Sequence, residues 1–262
     1  MSISLLSPIL IGWLTGWIVN YFSDVLPFTR RISHPTCPHC NAPYSWLDYL
    51  LFKQCSNGHS RGIRVWLVQV LIIAASMYAW SQPPSKIGYA LSVLLILYFG
   101  VVVVIDMEHR LILHPTSIAG AILALAIGII AHGLIPTLLG GLGGFIIMLG
   151  FYYLGILFTR LRAKRLAQQG QEPDDEEALG AGDVILVTIL GFLVGWPLIW
   201  FCILLSILIG GFVSLMMVVG LLLSRKYEKN VLMIFIPYGP YFVISAFLIV
   251  FFPKFLAILV PG

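Results

Sequence analysis

Apolar residues fall into long unbroken runs rather than alternating stripes. Eight stretches stand out, at about 4–22, 64–81, 88–105, 117–133, 138–159, 183–196, 197–223 and 231–252. Most approach the ~20 residues that a membrane-spanning helix needs. The pattern predicts an all-α, polytopic bundle of about eight transmembrane helices. The stretch 183–196 is short, and its separation from the next run rests on Gly195-Trp196-Pro197 alone. The first run lacks a basic flank and a small-residue cleavage site, so it reads as a retained span.

Between the first two runs lies a polar insertion. The expected organisation is therefore a first span over 1–22, a cytoplasmic hairpin over 23–63 and a helical body over 64–262. Composition agrees with the membrane reading. Hydrophobic residues make up 60% of the 262 and charged residues only 10%, whereas a soluble domain carries roughly 25% charged residues.

Charge orients the chain. If eight spans alternate, the segments 23–63, 106–116, 160–182 and 224–230 share one face. That face holds all of the 15 Lys and Arg except Lys86 and Lys254. Basic loops stay cytoplasmic, so both termini are expected outside. This bias accounts for the net charge of +4 and leaves no case for nucleic-acid binding. Within 160–182 the sign changes from Arg160, Arg162, Lys164 and Arg165 to Glu172, Asp174, Asp175, Glu176 and Glu177. That loop reads as solvated, or as a mobile gate beside the residues that follow it.

Glycines punctuate two of the runs. Gly12-x-x-x-Gly16 and Gly140-Gly141-Leu142-Gly143-Gly144 lie in apolar surroundings, where small residues let membrane helices approach closely. The second string lacks the strand that a phosphate-binding loop would need.

The hairpin carries Cys37-Pro38-His39-Cys40 and then Cys55-Ser56-Asn57-Gly58-His59. This spacing fits a structural zinc site made by Cys37, Cys40, Cys55 and His59. His34 and His39 are spare candidates for the fourth position, and a set of reduced cytosolic thiols is the alternative. A closed four-ligand site would fold a segment too small for a core of its own. Cys202, inside an apolar run, reads as a small core residue.

Two acids stand at the edges of apolar runs. Asp106 follows Tyr98–Ile105, and Asp183 ends Gly180-Ala181-Gly182-Asp183. A carboxylate against hydrocarbon is expensive and marks a functional site. Both fall at the cytoplasmic boundary, where they could share a proton and activate a water as aspartic proteases do. Taken singly, Asp183 also reads as a helix N-cap and Asp106 as a solvated interfacial acid. The helix dipole favours an ionised Asp183 and a protonated Asp106, and the pair titrates as a unit. Gly180 and Gly182 would permit a sharp turn and close approach of an extended substrate. The short run after Asp183 predicts that this acid is recessed, with Gly180–Gly182 as non-helical backbone lining a wet cavity. Glu108, His109 and His132 read as solvated, and His114, beginning a loop with Pro115, as structural.

These features together resemble the type IV prepilin peptidases, also called prepilin leader peptidases/N-methyltransferases, which are G-x-G-D intramembrane aspartic proteases. Gly16-Trp17-Ile18-Val19-Asn20, ending near Leu26-Pro27, is similar to the family's first-span signature. The Cys/His hairpin stands where the family has paired C-x-x-C knuckles. Ile105–Ile112 and Gly180–Leu186 resemble its two catalytic segments. Two departures are visible: Leu113-His114 stand where the family often has Pro-Asp, and His59 comes one residue late for a second C-x-x-C. The resemblance implies cleavage of a basic leader from type IV prepilins or pseudopilins, on the cytoplasmic side of the bacterial inner membrane, with Asp106 and Asp183 as the catalytic pair. In many relatives N-methylation of the new terminus follows, with S-adenosylmethionine as donor. Rival readings are another G-x-G-D protease with a different substrate, and a proton-coupled transporter in which the two acids relay protons. A membrane zinc protease would want H-E-x-x-H, which is absent.

Overall fold

The computed structural model describes residues 2–37, 39–168, 180–223 and 237–253. Among them nine helices form and no strand does: α1 Ser2–Thr29, α2 Trp46–Leu50, α3 Ile63–Ser81, α4 Gly88–His109, α5 His114–His132, α6 Leu134–Gln168, α7 Ala181–Val194, α8 Leu198–Leu223 and α9 Gly239–Phe251. The fold class is all-α, as the apolar runs predict. Six helices are long and apolar enough to cross a membrane, while α7 and α9 are apolar but shorter. The acidic half of the 160–182 loop, the loop 224–230 and the start of the last apolar run lie outside the described residues.

Several boundaries move for a physical reason. Hydropathy falls where polar side chains begin, but a helix continues while its backbone hydrogen bonds do. So α1 runs past 22 to Thr29, and α4 carries Asp106 inside its last turn before a left-handed Arg110 stops it. Pro115 sits in the first turn of α5, so His114 starts a helix rather than a loop. There a missing N–H costs nothing.

The chain divides into two compact units, Met1–Leu123 and Ala124–Gly262. In the first, α1 packs on α3 and α4, and α3 packs on α4. The glycine pair acts at this seam. A Cβ on Gly12 would lie 2.9 Å from the Ile73 backbone, and one on Gly16 would meet the Gln69 side chain. Polar groups that cross the seam find backbone partners, as intramembrane polar groups must. Asn20 donates to the Val65 carbonyl at 3.3 Å, Gln69 to Trp13 at 2.7 Å and Ser76 to Pro8 at 2.8 Å.

In the second unit the extensive contact is between α6 and α7, and α9 packs on both α7 and α8. The glycine cluster of α6 makes this possible. A Cβ on Gly140 would overlap the Gly191 carbonyl, one on Gly141 the Phe192 ring, and one on Gly143 would press on Trp196. Helix packing, not phosphate binding, is the role of that string. The break at Gly195-Trp196-Pro197 separates α7 from α8: Gly195 has φ +76°, and the Trp196 N–H is taken by Pro136 O at 2.9 Å. Leu186 and Leu190 are fully buried, so α7 is enclosed by protein despite its 14 residues. Cys202 is buried in this core.

Candidate functional site

The hairpin is built around two tight turns. In the first, Asn41 N–H reaches Cys37 O at 2.8 Å, with Asn41 itself left-handed at φ 54°. In the second, Gly58 N–H reaches Cys55 O at 2.8 Å and Gly58 takes φ +81°, a conformation open to glycine at little cost. That turn absorbs the extra residue between Cys55 and His59. The ligand atoms of Cys37, Cys40, Cys55 and His59 all lie within 4.8 Å of one another. Cys40 Sγ is 3.7 Å from Cys55 Sγ, and His59 Nδ1 is 3.4 Å from Cys55 Sγ and 4.0 Å from Cys37 Sγ. A tetrahedron with ~2.3 Å metal–sulfur bonds has edges of about 3.8 Å. The donor set therefore fits zinc in both chemistry and spacing. Burial pushes the Cys37 thiol up, but the His39 and Cys40 N–H groups and the neighbouring thiols outweigh it and bring it down to about 6. A thiolate is the form a metal binds. His39 lies near His59, with ring centroids 5.4 Å apart and the rings tilted by 41°, and stands outside the four-residue cluster.

The hairpin has a small core with α1: Tyr21 and Val25 of the helix pack with Cys37, Tyr44, Tyr49 and Cys55. Beneath it runs an ionic network organised by Asp24, a residue the sequence patterns do not single out. Arg61 Nη2 donates to Asp24 Oδ2 at 2.6 Å, Arg64 Nη2 pairs with Asp24 Oδ1, and the Tyr49 hydroxyl donates to Asp24 Oδ2. Arg61 also lies over the Tyr49 ring, 3.9 Å from its centroid. Burial, then the Asp24 charge, push the Tyr49 phenol far up, so it remains a donor. Arg64 extends the network to Glu108, Nε to Oε1 at 3.0 Å. Glu108 is thus ion-paired rather than merely solvated. Asp24 is hidden from sequence patterns because its partners lie 37 and 40 residues away.

Asp106 occupies the last turn of α4 in the first unit, 5% exposed, and its carbonyl accepts from Arg110 N–H at 2.9 Å. Burial of this depth excludes the solvated interfacial reading. Asp183 is half-buried in the first turn of α7 in the second unit. The N-cap of α7 is Gly180, not Asp183. Gly180 is extended at φ −75°, ψ 143°, and its carbonyl accepts from Asp183 N–H at 3.0 Å. Ala181 and Gly182 are helical, so the expected non-helical stretch reduces to Gly180. Its φ is one that any residue adopts, so no left-handed turn calls for glycine there.

Residues 93–215 match the type IV leader peptidase family. Among curated proteins, the chain is similar to a prepilin leader peptidase/N-methyltransferase of Aeromonas hydrophila, 25% identical over 86% of this chain and 73% of the relative. A protein of the same name from Stutzerimonas stutzeri is 28% identical over 83% of this chain and 71% of its own. Another, from Aeromonas salmonicida, is 24% identical over 87% and 77%. No solved structure matches the chain.

Proposed function

We propose that this chain, whose residues 93–215 match the type IV leader peptidase family, removes the leader of type IV prepilins or pseudopilins at the cytoplasmic side of the inner membrane, with Asp106 and Asp183 as the catalytic pair. The observation that carries this reading is the placement of two acids at opposite helix ends within the matched segment, Asp106 buried and Asp183 half-buried. Asp106 lies in a C-terminal turn and Asp183 in an N-terminal turn.

The helix dipoles support a division of roles. The positive end of α7 favours an ionised Asp183, and the negative end of α4 favours a protonated Asp106. Asp183 takes a proton from water as the oxygen attacks the scissile carbonyl carbon. Asp106 gives its proton to the carbonyl oxygen, and a tetrahedral gem-diol results. On collapse the C–N bond breaks, Asp183 returns its proton to the departing amine, and a gem-diol hydroxyl reprotonates Asp106. Both acids end as they began, and neither forms a covalent bond to substrate.

Zinc has a structural part in this scheme. Cys37, Cys40, Cys55 and His59 would fill all four positions of a tetrahedral ion and leave none for substrate. The hairpin they hold anchors Arg61 and, through Asp24, Arg64. The relatives' shared name adds N-methylation of the new terminus, with S-adenosylmethionine as methyl donor, as a second step of the same reading.

The test is incubation of the purified protein with a tagged prepilin, followed by mass spectrometry of the product terminus. A single cut before the hydrophobic helix supports the reading, and added S-adenosylmethionine should then raise the product mass by one methyl group. An intact prepilin under conditions in which a characterised relative cuts it contradicts the peptidase assignment.

A further inference from the structure

The hairpin does not project away from α1 but lies back along it. Ring contacts trace the path. Trp46 is 5.7 Å from Tyr21, Tyr49 meets Trp17 edge-on at 6.0 Å, and Phe52 meets Trp13 edge-on at 6.3 Å. Phe52 also packs on Trp66 of α3 at 5.1 Å. Other contacts set the level of α4 in the same unit. Phe28 of α1 touches His109 at 5.3 Å, and Arg64 bridges Asp24 and Glu108. Asp106 is thus level with the Asp24 turn of α1. From Asp24 back to Trp13 the helix rises by about 16 Å, at 1.5 Å per residue. Allowing for side-chain reach, Phe52 still lies more than a turn deeper toward the membrane interior than Asp106.

The same edge of the hairpin is apolar and uncovered. Leu47 is 69% exposed, Leu51 57% and Trp46 46%. Through Phe52 and Trp66 this patch runs on without a break into exposed Leu67, Val70 and Leu71 of α3, a helix of membrane-spanning length and composition. The opposite, metal-bearing end exposes Ser56, Asn57, His59 and Ser60. Lys53, paired with Asp48 at 3.2 Å, stands beside the apolar edge, as a headgroup-seeking lysine does.

We propose that the zinc hairpin is an interfacial membrane element, with Trp46, Leu47, Leu51 and Phe52 seated in the headgroup–acyl boundary of the bilayer. Continuity with the lipid-facing flank of α3 identifies lipid as the occupant of this surface. Tryptophan belongs at that depth. The irregular backbone around α2 keeps the hairpin out of the hydrocarbon proper, where unpaired peptide groups are not tolerated, and limits its immersion to roughly 5–10 Å.

The experiment places the photoreactive residue benzoylphenylalanine at position 47, 51 or 57 of the full-length, zinc-loaded protein in phosphatidylethanolamine/phosphatidylglycerol liposomes. Irradiation is followed by mass spectrometry of the adducts. Lipid adducts at 47 and 51 should exceed those at 57 several-fold. Equal yields at the three positions, or adducts at 47 and 51 to a second copy of the chain instead of lipid, would overturn the proposal. Trp46→Phe gives an independent readout: it should remove part of the fluorescence quenching by lipids brominated near the headgroup, and unchanged quenching would count against it.

Discussion

Arg64 holds Glu108 at 3.0 Å, two residues beyond Asp106 on the same helix, while its other arm pairs with Asp24. One guanidinium therefore ties the end of α4 to α1 at the level of the buried acid. The Glu108 half of the bridge is more than a third exposed, so its own contribution is on the order of 1 kcal/mol or less.

Asp24 matters more. Arg61, whose side chain is 5% exposed, would lose its carboxylate partner. Asp24→Asn should destabilise the first unit by about 3 kcal/mol, because it strands a buried charge. Glu108→Gln should change stability by less than about 1 kcal/mol. Thermal unfolding of the two purified variants checks the order, and equal effects would refute the hierarchy.

Protein purified without chelator should contain about one zinc per chain. Cys37→Ser or His59→Ala should lose it, whereas His39→Ala should retain it, since His39 stands outside the ligand cluster. Metal analysis of the three variants decides between the two histidines.

Gly140→Val should destabilise the second unit by at least ~1–3 kcal/mol, the range for overpacking, because its Cβ would occupy the space of the Gly191 carbonyl. Gly150→Ala, where nothing lies within 4 Å of the added Cβ, is the control and should not lower the unfolding midpoint, since alanine suits a helix interior better than glycine. A change at 150 as large as that at 140 would mean that close helix approach is not what the α6 glycines supply.

Apolar run length made the helices legible, because burial in lipid or protein demands it at every turn. The break between α7 and α8 was legible because Gly195 and Pro197 act locally. The clustering of Cys37, Cys40, Cys55 and His59 was legible from spacing, since each turn is built by neighbours in sequence. Asp24 was not, for its partners come from another helix and the far side of the hairpin. The cap of α7 was misplaced by three residues: Asp and Gly are both good N-cap residues, and only the backbone geometry at Gly180 separates them. The helical end of α4 was missed because hydropathy stops at Ile105 while hydrogen bonding continues to Arg110.

The central claim is that two carboxylates share the chemistry. Asp106→Asn and Asp183→Asn keep side-chain volume and remove the charge. Each purified variant should retain its zinc, its helical content and its unfolding midpoint. Each should also lose prepilin cleavage by several orders of magnitude, as removal of one member of a catalytic unit does. Cleavage by either folded variant at a rate near that of the unaltered protein would contradict the account.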